Sequence, residues 1–287
     1  MINIPQKVHD RLVAGIKKFP AVLTAAQERG ANESDTVIII TAILTEVFGY
    51  DTFKEITSEH VVRGTRCDLA IKLDDKTQSL IEAKAINLEL KENHVMQVVG
   101  YAANDGVDWV VLTNGVVWQI YKVIIVTAKP IDRERVVEID FLKIDHHNQE
   151  DLASLFLFTK ESWAKSALSD YYDKNQALSP FTIAQVLLTE PVLAIVKREL
   201  KWISPEIKIE IEKIRDVLEQ GVLRHDVFEG EKADEARKRV TKANRARQNK
   251  AKSESDGVIA PAVETEAQGN DVLSASPASI PIQQKAS

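Results

Sequence analysis

Apolar positions in the first half of the chain follow two periods. From residue 32 the sequence reads Asn-Glu-Ser-Asp, a cluster of capping residues, and an apolar-rich stretch over 36–48 stops at Gly49. Many of these residues are β-branched. Even so, the length, the Asn/Ser start and the Gly stop predict a buried helix rather than a strand. Stretches 53–63, 66–73 and 78–86 predict three strands, with turn signals at Arg63-Gly64 and Asp74-Asp75-Lys76. Residues 90–103 predict a helix. Residues 109–113 and 116–125 predict a hairpin across Asn114-Gly115, a two-residue turn signal. Residues 136–142 add an edge strand. The order helix, three strands, helix, strands predicts a mixed sheet flanked by helices, in the α/β or α+β class.

Beyond residue 149 the period becomes helical over 149–169, 181–200 and 206–223, with Pro180 and Pro205 near the starts of the last two. This predicts a small helical subdomain or dimerisation arm. From about residue 229 the chain turns polar. Residues 231–252 can extend as a charged helix, acidic first (Glu231, Asp234, Glu235) and basic afterwards, which suits the helix dipole. Residues 253–287 hold too few apolar side chains to repay the entropy of ordering them. The expected organisation is a domain over 1–145, a helical subdomain over 149–225 and a charged, largely disordered tail over 229–287.

Composition changes this picture in one place. The 287 residues carry 37 basic and 43 acidic side chains, a net −6, which argues against a surface coated in positive charge. Yet residues 237–252 hold eight Lys/Arg and no acid, so the rest of the chain carries −14. One cysteine, Cys67, excludes an internal disulfide framework and a multi-cysteine zinc site. No apolar run approaches the roughly 18–20 residues a bilayer requires. The N-terminus lacks a signal-peptide pattern, so a cytoplasmic protein with no membrane partner is expected. No Gly-x4-Gly-Lys-Ser/Thr phosphate loop occurs.

The chemistry concentrates in Arg66-Cys67-Asp68-Leu69-Ala70-Ile71 and Leu80-Ile81-Glu82-Ala83-Lys84. Strand alternation puts Glu82 and Lys84 on one face and turns Asp68 away from Cys67, Leu69 and Ile71. Pairing across the turn near Asp75 gives partner numbers that sum to about 150. Asp68 then lies beside Glu82, with Lys84 next along. Charges among apolar strands must pair or bind an ion. One reading is an ion pair on the solvated face of a hairpin. The other is a divalent cation site: oxygen-only ligands suit Mg²⁺ or Mn²⁺, whose coordination is completed by water and phosphate oxygens.

Asp68 and Glu82-Ala83-Lys84 resemble the PD-(D/E)xK nuclease signature. Gln97 and Tyr101 follow as Gln-x3-Tyr. The stretch from Trp109 to Gly115, with Trp118 and Tyr121 behind it, resembles the "LTNG…W" hairpin of one branch, and Asn32-Glu33-x-x-Thr36 with Phe48-Gly49-Tyr50-Asp51 resembles its first helix and exit. Over about residues 25–125 the chain is similar to the N-terminal nuclease domain of type I restriction enzyme R subunits, without their motor domains. Cys67 stands where the signature's proline would be, a departure common in this branch.

The resemblance implies a metal-dependent endodeoxyribonuclease of restriction or defence type, with Mg²⁺ (Mn²⁺ also suited) held by Asp68 and Glu82. Lys84 would position the attacking water or stabilise developing charge. The Ala83 and Ala85 carbonyls are further possible ligands. Gln97 and Tyr101 would turn one helix face to the active site. Glu33, with Glu46 as runner-up, would be the supporting first-helix acid. DNA is the implied partner, with a homodimer or a restriction complex around it. The alternative is a catalytically silent nuclease fold that binds DNA or protein.

The basic run supplies candidate DNA contacts in Arg237, Lys238, Arg239, Lys242, Arg245 and Arg247. Its bland alternative is a solvated tail. His146-His147 are expected to point apart, Cys67 to be a small core hydrophobe, and Trp118, Trp163 and Trp202 to pack in the interior.

Overall fold

The computed structural model describes residues 2–62, 65–125 and 130–256. The expected turn at Arg63-Gly64 and the end of the tail, 257–287, lie outside the described residues. Two compact units divide at Ser179/Pro180.

The first unit is built on a six-stranded mixed sheet. Strands β1 (Ile56–Val62), β2 (Thr65–Leu73), β3 (Lys76–Ala83), β4 (Trp109–Thr113), β5 (Val117–Ile124) and β6 (Asp132–Asp140) lie side by side in sequence order. Every pairing is antiparallel except β3 with β4, which are parallel. Parallel neighbours need a crossover, and helix α3 (Glu92–Asp105) provides it. The mixed sheet flanked by helices is the class expected, and β6 is an edge strand as expected. Leu69 pairs with Ile81 and Ala70 with Leu80, the register that the turn at Asp74-Asp75 predicts. Both aspartates adopt positive φ to make that turn.

One sheet face packs against α1 (Gln6–Glu28) and α2 (Glu33–Glu46), joined by α4 (Gln149–Phe156). The opposite face buries Ala70, Leu80, Val110 and Leu112 beneath Val95, Val98, Val99 and Ala102 of α3. Helix α1 has no counterpart among the predicted elements. Its buried Leu12, Ile16, Phe19 and Leu23 are spaced as one helical face. Pro20 inside it is a stop signal that this packing overrides. Asn32 caps α2 by accepting from the Asp35 amide at 2.9 Å. Gly49 follows at φ +84, where an added Cβ would stand 2.5 Å from the Arg11 guanidinium.

The hairpin turn differs from the two-residue expectation. Asn114, Gly115 and Val116 all lie between the strands, and only Gly115 has positive φ. A two-residue type I′ turn needs positive φ at both central residues. Here the Asn114 side chain instead accepts from the amides of Val116 (3.1 Å) and Val117 (2.8 Å).

The first unit extends past residue 145. Helix α4 contributes Leu152, Leu155 and Phe156 to the core, α6 (Ala167–Ala177) contributes Leu168, and α5 (Lys160–Ala164) packs the partly buried Trp163 against it. Arg11 ties α1 to α5 through two hydrogen bonds to Glu161, 2.9 and 2.6 Å. Trp118 is fully buried, edge-on to Phe48 at 5.1 Å, and Trp163 packs partly buried against Trp109. Cys67 is buried as expected. It joins Ala70 and Leu80 under α3, however, and not Leu69 and Ile71, so strict alternation fails at that end of β2.

The second unit holds α7 (Pro180–Leu187), α8 (Glu190–Ile203), α9 (Ile211–Val217) with a π turn, a short 3₁₀ turn, and α10 (Glu231–Asp256). Ala184, Leu193, Ile214, Val227, Ala233 and Ala236 are buried. One expectation is corrected here. Trp202 is 81% exposed at the end of α8, not an interior residue. The charged helix expected over 231–252 forms and runs on to Asp256, with Ala233 and Ala236 buried. Among the described residues no single helix is long and apolar enough to cross a membrane. Helices α7 and α8 reach that length and composition only as a pair, bent by 65°.

Candidate active site

The site forms where β3 ends. Parallel pairing aligns the C-terminal ends of β3 and β4, and the ladder continues one residue beyond the strand, with Lys84 N–H donating to the Thr113 carbonyl at 2.8 Å. Asp68, on β2, accepts from the Ala83 amide through Oδ2 at 2.7 Å. That bond fastens the Asp68 carboxylate to the last rung of β3. Glu82 is 2% exposed. Its Oε1 accepts from Lys84 Nζ at 2.5 Å, while its Oε2 is buried with no hydrogen-bond partner. The first turn of α2 brings Glu33 Oε2 to 3.7 Å from Lys84 Nζ. Asp68, Glu82, Lys84 and Glu33 therefore meet at one place, contributed by β2, β3, the residue after β3, and α2.

The electrostatics follow from this crowding. Burial, then the negative charges of Asp68 and Glu33, push the Glu82 carboxyl above its usual range against the pull of Lys84. Burial works against the charge of Lys84, but its hydrogen bond to Glu82 and the charges of Glu82, Glu33 and Asp68 outweigh it, so its pKa is raised. Lys84 is thus a cation here rather than a base. Burial, Asp68 and Glu82 push the Cys67 thiol up to about 12, which removes it as a nucleophile at neutral pH.

His94 was not singled out by motif. It lies in the first turn of α3, and burial followed by the charges of Lys84 and Lys91 lowers its pKa. Its Nδ1 accepts from the Lys91 amide at 3.2 Å, so the neutral ring carries its proton on Nε2. The signal available in sequence was its position three residues before Gln97, on the same helix face.

The motif around Thr113 and Asn114 has a supporting part. Asn114 Nδ2 donates to the Leu88 carbonyl at 2.9 Å, and Asn87 Nδ2 donates to the Gln27 carbonyl at 2.9 Å. The loop between Lys84 and α3 is therefore held from both the hairpin and α1.

Of the other sequence candidates, Gln97, Tyr101 and Glu46 form no hydrogen bond or ion pair with this cluster among the described residues. Gln97 is exposed, and Tyr101 is half-buried against the apolar cluster under α3. Neither hydrogen-bonds to Asp68, Glu82 or Lys84 among the described residues. Glu46 forms an ion pair with Lys18, leaving Glu33 as the first-helix acid at the cluster. The six basic candidates all lie on α10 in the second unit. Arg237 bonds Asp234 at 3.0 Å, and Arg247 lines a recess with Glu190 and Asn244.

The donor set fits a hard cation: it is oxygen-only, and a buried carboxylate oxygen lacks a partner. Asp145, His146 and His147 form the group whose ligand atoms lie within 4.8 Å of one another among the described residues. The two imidazoles do not point apart as expected. Their centroids are 4.0 Å apart, because the Asp145 carboxylate accepts the His147 amide and folds the turn back.

Residues 40–133 match the family model described as the type I restriction enzyme R protein N terminus (HSDR_N). The match spans Asp68, Glu82, Lys84, Gln97 and Tyr101, and leaves out Glu33 and the whole second unit. No curated protein and no solved structure matches the chain.

Proposed function

We propose, from a type I restriction enzyme R protein N-terminal domain over residues 40–133, that this protein is a metal-dependent DNA endonuclease of restriction or defence type, acting in the cytoplasm. The observation that carries the reading is the Glu82 carboxylate, buried with one oxygen unpartnered, beside Asp68 and a charged Lys84. Asp68 and Glu82 would hold Mg²⁺ or Mn²⁺. Such an ion would supply Lewis-acid polarisation of the phosphodiester and of the attacking water.

The chain's own residues account for the rest. A water oxygen forms a bond to phosphorus and gives up a proton to solvent, the bond from phosphorus to the leaving oxygen breaks, and that oxygen takes up a proton from solvent. The Lys84 ammonium orients the water and offsets the negative charge that builds on the phosphoryl oxygens. Its raised pKa favours these roles over proton abstraction. The Ala83 amide holds Asp68 in place, and Glu33 keeps Lys84 turned to the site. Exposed Gln97, with Tyr101 one turn on, offers polar groups to the DNA backbone. Cutting both strands requires two such sites, supplied by a homodimer or by successive nicks.

The second reading is a silent nuclease fold that binds DNA or protein. It is favoured by the Lys84–Glu82 bond, which neutralises the buried carboxylate without a cation. Supercoiled, linear and single-stranded DNA incubated with Mg²⁺ or Mn²⁺ decides between them. The nuclease reading expects nicking that EDTA stops and that Lys84→Ala abolishes while binding persists. Equal activity in Lys84→Ala overturns the assignment. Absence of both cutting and calorimetric metal binding, together with stable binding to DNA or a protein partner, supports the silent module.

A further inference from the structure

Helix α10 lies outside the matched domain and takes no part in the chemistry above. Its residues sort into two faces. Ala233 and Ala236 are buried, and Val240 and Asn244 are half-buried, so positions three, seven and eleven beyond Ala233 continue one packing face. Lys238, Lys242 and Arg245 lie at the i, i+4, i+7 spacing on the opposite side and are exposed. None of the three forms an ion pair among the described residues. Of the acids of this helix, Glu231, Asp234 and Glu235 precede the row and Glu254 and Asp256 follow it, and Asp234 is taken by Arg237. From 237 to 252 no Asp or Glu interrupts the positive charge.

We infer that α10 is a docking helix for double-stranded DNA, with the outward row Lys238, Lys242 and Arg245 on backbone phosphates. The choice of DNA as the polyanion rests on the proposed nuclease reading. A seven-residue helical span is about 10 Å long, and over that length a duplex presents roughly six phosphate charges. The segment 237–252 holds no aromatic on which bases of a single strand stack. The face opposite the row is already packed through Ala233 and Ala236, so α10 has no apolar face to insert into a bilayer. A rigid cationic row without stacking or insertion groups fits a duplex backbone, read without regard to sequence.

The test uses the full chain in EDTA, so that no cutting occurs. Binding to a short fluorescent duplex is followed across KCl concentrations, for the wild type and for a triple variant Lys238→Gln, Lys242→Gln, Arg245→Gln. Glutamine keeps helix propensity while removing charge. A control triple, Lys7→Gln, Lys17→Gln and Lys208→Gln, makes the same change in net charge. The α10 triple is expected to bind at least about tenfold more weakly near 0.1 M salt, with a log–log salt slope shallower by about 2.7. The control is expected to match the wild type. An unchanged slope in the α10 triple overturns the inference, as does an equal loss in both triples. So does a loss confined to single strands or anionic vesicles. Cutting with Mg²⁺ at low salt, with Lys84→Ala alongside, reads the nuclease site separately, so the two readings fail independently.

Discussion

Lys84 donates to one oxygen of Glu82 at 2.5 Å while the other oxygen of Glu82 stays buried without a partner. The pair is therefore half-completed. It holds Lys84 at the end of β3 and leaves one buried carboxylate oxygen without a partner. Lys84→Met is expected to destabilise the fold by about 3–5 kcal/mol in urea unfolding, because it strands a buried carboxylate. Mg²⁺ should then raise the melting temperature of Lys84→Met more than that of the wild type. An equal or smaller rise would show that the carboxylate does not seek a cation. Lys84→Met paired with Glu82→Gln should recover much of the loss.

The same pair sets a pH dependence. Lys84 titrates above the ordinary lysine value in the folded protein. Its contribution is fully present below the unfolded value of about 10.4 and is lost as pH rises through the higher folded value. Glu82 is also raised, so protonation favours the fold below the ordinary carboxylate value, and this contribution fades as pH rises through its folded value. Unfolding measured from neutral pH to above 10 should therefore fall more steeply for the wild type than for Lys84→Met. Parallel curves would contradict the pairing.

Asn114 holds the turn through Val116 and Val117 and the loop between Lys84 and α3 through Leu88. Asn114→Ala is expected to cost about 1–3 kcal/mol. It should speed hydrogen exchange over 85–91 and reduce DNA cutting without touching a carboxylate. Unchanged exchange in that loop would limit Asn114 to the hairpin.

Arg11 accounts for Gly49. Its guanidinium donates to the Val47 and Phe48 carbonyls and to Glu161, filling the space a Cβ at Gly49 would need. Gly49→Ala adds positive-φ strain to that clash and should destabilise by about 1–3 kcal/mol. Burial opposes the charge of Glu161, but Arg11 outweighs it and holds the carboxyl below its usual range. That stability is present above the ordinary carboxylate pKa and is lost as pH falls through the folded value. Acid unfolding of Arg11→Ala should accordingly lack part of the wild-type slope below about pH 4.3.

Trp118 and Trp202 separate a core tryptophan from an exposed one. Trp118→Ala should cost about 3–5 kcal/mol. Trp202→Ser should change stability by no more than about 0.5 kcal/mol. A large loss for Trp202→Ser would mean that its exposed ring is covered in solution.

Much of the site was legible because its residues lie on neighbouring strands. Alternation, and a turn at Asp74-Asp75, fix the β2–β3 register and with it the approach of Asp68 to the end of β3. The apolar periods likewise determine the helix–strand order. Asn32 and Gly49 mark the limits of α2, since capping and positive φ are local requirements. Tertiary structure alone decided what depends on contacts distant in sequence. Packing of Leu12, Ile16, Phe19 and Leu23 in the core carries α1 through Pro20. The choice of Glu33 over Glu46 turns on which end of α2 faces Lys84, and the place of His94 on how α3 crosses above the sheet. The unpartnered oxygen of Glu82 exists only in the folded chain. Burial there is set by β4 and the helices around it, and no local pattern of residues encodes it.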